Sequence, residues 1–137
     1  MPGIGAYKLH TIAADWDTAR NTCEQEGAYL AVPNFITEAK AISTIFANGG
    51  TISGAYNQNY ALIGFHDQFK EGEYVTIFNQ RLPQAGYDMF PAGEPNNLGG
   101  AENCGSITKT GLLNDISCTK KYAFVCELVL CNSCSSY

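Results

Sequence analysis

Positive charge is scarce in this chain: Lys and Arg number 8 against 13 Asp and Glu, for a formal charge of −5. Basic runs and basic stripes are absent, which argues against nucleic acid or an anionic membrane as the partner. Long hydrophobic runs are absent too. No apolar stretch approaches the roughly 20 residues that cross a bilayer, so membrane insertion is not expected. Met1–Gly5 has neither the charged nor the apolar region of a secretion leader, so the expectation is a mature segment with an added initiator Met. There is no Asn-x-Ser/Thr sequon to indicate N-glycosylation. Only two histidines occur, His10 and His66. Neither has a nucleophile partnered with it in sequence, so both read as structural rather than catalytic.

What is present suits a folded domain. The chain has 137 residues, 45% hydrophobic and 12% aromatic, enough to bury a core within one domain. Six cysteines, Cys23, Cys104, Cys118, Cys126, Cys131 and Cys134, form an even set in a small, acidic, loop-rich chain. That favours disulfides and an oxidising, extracellular compartment. Zinc is the rival, but it wants short-spaced ligand pairs on both sides, and only Cys131–Cys134 supplies one.

Along the chain, Ala6–His10 reads as a first strand. Asp15 can cap a helix from Trp16 to Glu26 that Gly27 closes, with Trp16, Ala19 and Cys23 on its inner face. Arg20 and Glu24 can pair at i,i+4 on its surface. Tyr29–Val32 reads as a short strand ended by Pro33. Thr37 is expected to cap a second helix running to Ala47, with Ala39, Ile42, Ile45 and Phe46 on one face. Tyr60–Phe65 has the apolar continuity of a central strand, and Glu73–Phe78 alternates as a half-exposed one. From Asn79 to Gly111 the pattern fails over about thirty residues holding Pro83, Pro91, Pro95 and six glycines. A loop of that length is usually functional or disordered, and Tyr87, Phe90 and Cys104 argue for order. Leu112–Ser117 and Tyr122–Val129 then resume as strands, and 131–137 is a short polar tail. The expectation is one domain over 1–137, with a core of about 5–129 and a cysteine-containing tail over 130–137.

The chemistry concentrates in Glu94-Pro95-Asn96-Asn97-Leu98-Gly99-Gly100-Ala101-Glu102-Asn103-Cys104, answered by Leu113-Asn114-Asp115. Glu94, Asn96, Glu102, Asn114 and Asp115 offer oxygens almost exclusively, with few cations near them in sequence. Calcium wants six to eight such oxygens. Without a cation, carboxylates brought together would repel and perturb one another's titration. Taken singly, each could be an ordinary solvated acid; as a spaced set they read as a metal site.

The pieces in order resemble a C-type lectin carbohydrate-recognition domain over about residues 5–129. The resemblance rests on Trp16–Cys23 followed by Gly27-Ala28-Tyr29-Leu30, on Leu62-Ile63-Gly64-Phe65, and on Glu94-Pro95-Asn96 with Glu102-Asn103-Cys104. It is completed by Leu113-Asn114-Asp115 and by Cys118 with Cys126. The motif set looks like that of invertebrate humoral lectins. It implies an α+β fold in which two helices flank antiparallel sheets and a long calcium-binding loop emerges from them. It implies the disulfides Cys23–Cys126 and Cys104–Cys118, with Cys131–Cys134 as an additional local bridge. The same resemblance implies a calcium site of Glu94, Asn96, Glu102, Asn114 and Asp115, with Pro95 in cis. These residues would also bind the sugar, with Leu98 and Ile116 packing against it. Glu-Pro-Asn goes in the family with mannose-type glycans: mannose, N-acetylglucosamine, fucose and glucose.

Two departures stand out. Leu113 replaces the usual tryptophan before Asn-Asp, and Leu62 replaces another; both substitutes stay apolar. A second calcium site would draw on Asp67, Glu71, Asn97 and Asn103. Two carboxamides stand there where carboxylates are usual, so that site is expected to be weak or absent. The function implied is secreted, calcium-dependent recognition of mannose-type glycans, for example on microbial surfaces, without enzymatic activity; oligomerisation is left open. The alternatives are a module of the same fold that binds a protein partner without sugar and, further off, a glycosidase built on paired carboxylates.

Overall fold

A computed structural model describes residues 6–33, 36–66, 75–77 and 104–128. Among the described residues nine elements follow one another: β1 (Ala6–Ala14), α1 (Trp16–Gln25), β2 (Tyr29–Leu30), α2 (Ile36–Ala47), β3 (Tyr60–His66), β4 (Val75–Thr76), β5 (Cys104–Thr108), β6 (Leu113–Ile116) and β7 (Tyr122–Leu128). The strands form one sheet in the order β1-β7-β3-β5-β6, with β2 paired to β7 and β4 to β3. All pairings are antiparallel except β3 with β7, where Ala61 faces Ala123.

The first helix forms as its sequence dictates. Asp15 caps it, its Oδ1 accepting from the Thr18 N–H at 2.9 Å, which satisfies one of the helix's free donors. Gly27 follows with φ of 77°, a left-handed conformation that glycine adopts without Cβ strain and that lets the chain turn into β2. Trp16, Ala19 and Cys23 face inward. On the outer face Arg20 pairs with Glu24 at 3.3 Å and lies over the Trp16 ring. The second helix corrects one expectation: Thr37 lies inside α2, which already begins at Ile36, so it is not the cap.

The sheet separates two apolar clusters. One gathers Ala39, Ile42 and Phe46 of α2 with Ile63, Phe65, Ile107, Leu113 and Val125. The other places Trp16, Ala19 and Cys23 of α1 against Leu30, Leu62, Cys104, Ile116, Phe124 and Cys126. Alternate residues of a strand face opposite sides, so Leu62 and Ile63 serve different clusters. Trp16 closes the second cluster and donates its indole N–H to the Ile63 carbonyl at 2.9 Å. The disulfide Cys23–Cys126 joins α1 to β7 across 103 residues of sequence.

A second correction concerns β5. Cys104–Thr108 falls within the stretch expected to be loop, yet it is a strand between β3 and β6. Gly105 and Ser106 carry little strand propensity. Cross-strand fit places them instead. The ring of Phe65 lies 2.4 Å from where a Cβ on Gly105 would project, so only glycine admits that ring.

Candidate functional site

The site is organised by the β5–β6 hairpin and the strand beside it. At its tight end Thr108 folds the connection: its N–H donates to the Leu112 carbonyl, and its Oγ1 accepts from the Thr110 and Leu112 amides. Register then sets Asn114 opposite Ser106 and Asp115 opposite Gly105. Ser106 is fully buried and donates its hydroxyl to the Asn114 carbonyl at 3.0 Å.

At the other end of the hairpin, Cys104 stands between Ile116 on β6 and His66 on β3. β3 therefore ends at His66 beside the start of β5 at Cys104, on neighbouring strands, with β4 paired back onto β3 between them in sequence. The intervening residues, 67–103, are rooted beside the strand that carries Asn114 and Asp115. Cys104–Cys118 ties the returning end to the segment after β6, with Cα atoms 5.1 Å apart. His66 is buried and meets the Trp16 ring edge-on at 5.3 Å, a packing role.

Asn114 is 7% exposed and Asp115 fully buried. The Asn114 carboxamide oxygen has no hydrogen-bond partner among the described residues. Leaving a buried acceptor unsatisfied costs about 1–3 kcal/mol, so an oxygen in this position is unusual unless something else takes it up. A hard cation does so naturally, and a buried carboxylate one residue away is a compatible second ligand. The donor chemistry of the described half of the site thus fits calcium. Glu94, Asn96, Leu98 and Glu102 lie outside the described residues, as do Asp67, Glu71, Asn97 and Asn103, and Cys131 with Cys134. Ile116 is 3% exposed and belongs to the apolar cluster with Trp16, one residue beyond Asp115 on the same strand.

Sequence reasoning missed a second group of acids. Glu38 on α2 and Glu127 on β7 are both buried. Glu127 accepts from the Val32 N–H at 3.1 Å. Burial, and secondarily the Glu38 carboxylate, push its pKa up to about 7, against the pull of the hydrogen bonds from Val32 and Tyr29. The same burial and the same two carboxylates raise the Tyr7 hydroxyl. The signal was available: Glu38, Ile42 and Phe46 recur at i,i+4, which puts a carboxylate on the apolar stripe of α2. A further cluster, His10, Glu26 and Cys126, has metal-ligating side chains within reach of one another. Its sulfur is committed to the disulfide, however, and Glu26 is bonded to Lys8 and His10.

A sheet flanked by two helices, closed by these two disulfides and carrying Asn114-Asp115 beside the roots of residues 67–103, is the architecture of a carbohydrate-recognition domain. The chain belongs to the C-type lectin family: the family model for the lectin C-type domain matches residues 12–128. This is a family of carbohydrate-binding domains, not of enzymes. A hemolymph lipopolysaccharide-binding protein of Periplaneta americana is 43% identical over 128 residues, which are 93% of this chain and 50% of that protein. The chain thus spans about half the length of this curated relative. Among solved structures, the lectin CEL-I of Cucumaria echinata matches with a TM-score of 0.77 at 20% identity, over 94% of this chain and 93% of that one. The carbohydrate-recognition domain of cow CD23, solved in the presence of a GlcNAc2Man3 oligosaccharide, matches at 0.74 and 25% identity, over 96% and 97%.

Proposed function

We propose that this domain binds mannose-type glycans through a calcium ion held by Glu94, Asn96, Glu102, Asn114 and Asp115, and that it serves outside the cell in recognising microbial surfaces. The observation that carries the reading is the buried Asn114 Oδ1, which no donor among the described residues satisfies, next to the fully buried Asp115. A bound calcium ion supplies open coordination positions that vicinal sugar hydroxyls can fill. The residues do the rest. Carboxylates at Glu94 and Glu102 accept hydrogen bonds from the hydroxyls, and carboxamides at Asn96 and Asn114 donate hydrogen bonds to them, which selects a particular pair of hydroxyls. Leu98 offers apolar contact to the ring.

A second, weaker ion at Asp67, Glu71, Asn97 and Asn103 and a local bridge Cys131–Cys134 complete the proposal. The lipopolysaccharide-binding relative supports a microbial glycan as the target, and the disulfide pairs agree with an extracellular location. The test is a glycan array read with calcium and with chelator. Binding to mannose, N-acetylglucosamine and fucose that chelator abolishes is expected. Blank arrays, together with a protein partner that binds in chelator, would overturn the reading.

A further inference from the structure

Averaged over the chain the charge is negative, but the tertiary structure gathers cations at one place. Of the eight Lys and Arg residues, Lys8 and Arg20 are ion-paired. Lys40, Lys109, Lys120 and Lys121 are exposed and make no ion pair among the described residues, and the last three lie near one end of the sheet. Their placement follows from register. Tyr60 pairs with Thr108, so Asn59 and Lys109 are the next residues beyond the ends of β3 and β5, Lys109 in the turn that leads to β6. Ala61 pairs with Ala123, so Asn59 and Lys121 stand level on the other side. Two strand spacings then put the Lys109 and Lys121 backbones about 10 Å apart with Asn59 between them.

Tyr56 lies alongside, its N–H donating to the Lys121 carbonyl at 2.7 Å. The residue is 67% exposed, and its ring carries the Lys120 ammonium at 5.0 Å. Lys109 in turn lies over the Phe46 ring at 5.4 Å. Two of the three ammonium groups therefore lie over aromatic rings and, among the described residues, pair with no carboxylate. The whole group sits at the end of the sheet opposite His66 and Cys104, about 20 Å away along β3. Screening over about 8 Å at physiological salt lets a close ligand respond to this patch rather than to the net charge.

We propose that this pole is a second glycan-binding surface, independent of calcium, for a sulfated or phosphorylated polysaccharide. Three cations match successive anionic groups along such a chain, the Asn59 carboxamide can bond its hydroxyls, and the exposed Tyr56 ring offers a face to a sugar ring. An anionic membrane is the poorer fit, because surfaces of that kind are read by four to eight basic residues. A plain acidic peptide would have no use for the ring.

The experiment uses heparin, neutral dextran, polyglutamate and phosphatidate vesicles as probes, all with chelator present so that the proposed calcium site is silent. Heparin is expected to bind at low salt and to be released by about 0.5 M salt, where the screening length falls to a few ångströms. Dextran should not bind. Lys109→Ser/Lys120→Ser/Lys121→Ser should weaken heparin binding by about tenfold or more, at roughly 1 kcal/mol for each cation facing an anionic surface. Tyr56→Ala should weaken heparin while leaving any polyglutamate binding unchanged. Thermal unfolding of both variants confirms that they fold. No binding to heparin, equal binding by the triple variant, or tighter binding of polyglutamate or vesicles than of heparin would each overturn the proposal.

Discussion

Replacing Glu127 by Gln should make the protein more stable at neutral and alkaline pH and flatten its pH dependence. Glu127 is 3% exposed and faces Glu38, itself 1% exposed. Burial first, then the Glu38 charge, raise its pKa from 4.5 to about 7. A carboxyl group whose folded pKa lies above its unfolded value binds more protons in the native state. Its contribution is therefore complete below about pH 4.5 and is lost as pH rises through about 7. The difference of roughly 2.5 units, at about 1.4 kcal/mol each, sets the loss at on the order of 3 kcal/mol. Glutamine keeps an oxygen for the Val32 N–H and carries no charge, so the variant escapes that loss. Denaturant unfolding of both proteins in chelator, from pH 4.5 to pH 8.5, should give curves that converge at the acid end. They should separate by about 2–3 kcal/mol above pH 7.5, or near 8 °C in Tm for a chain of this size. Parallel curves would refute the reasoning, because they would mean that Glu127 does not titrate between those limits in the native state.

Removing calcium with chelator should lower Tm, since a ligand of the native state alone stabilises by mass action; differential scanning fluorimetry that is indifferent to calcium would count against the site. Asn114→Ala removes the unsatisfied acceptor, and should raise the calcium requirement at least tenfold in titration while costing little stability in chelator. Acidification to pH 5 and below should release calcium and mannose together, because protonated carboxylates are poor ligands; retention on a mannose matrix in chelator at pH 5 would refute the coupling. Gly105→Ala meets the Phe65 ring, 2.4 Å from the new Cβ, and should cost about 1–3 kcal/mol in unfolding experiments while disturbing the strand paired to Asp115. Cys23→Ser/Cys126→Ser frees a loop closed across 103 residues and should cost about 4–5 kcal/mol by the chain-entropy account.

Much of this molecule is legible in local sequence because the relevant physics is local. The Asp15 cap, the inward stripe Trp16-Ala19-Cys23 and the stop at Gly27 each depend on a few neighbouring residues, and α1 forms as they require. The apolar runs at 60–66 and 122–128 define central strands by composition alone. The spaced oxygens from Glu94 through Asp115 suggest an ion, and their resemblance to the C-type lectin motifs implies a sugar class.

Other features arise only when distant segments meet. The glycine and serine of β5 do not favour a strand; pairing on both sides and the ring of Phe65 impose one. Glu38 and Glu127, separated by most of the chain, become a buried pair of carboxylates only when α2 packs on β7. Lys109, Lys120 and Lys121 vanish into a negative average until register brings them to one end of the sheet. Caps and stripes are written in adjacent residues, whereas burial, charge proximity and cross-strand fit depend on which surfaces the tertiary structure sets face to face.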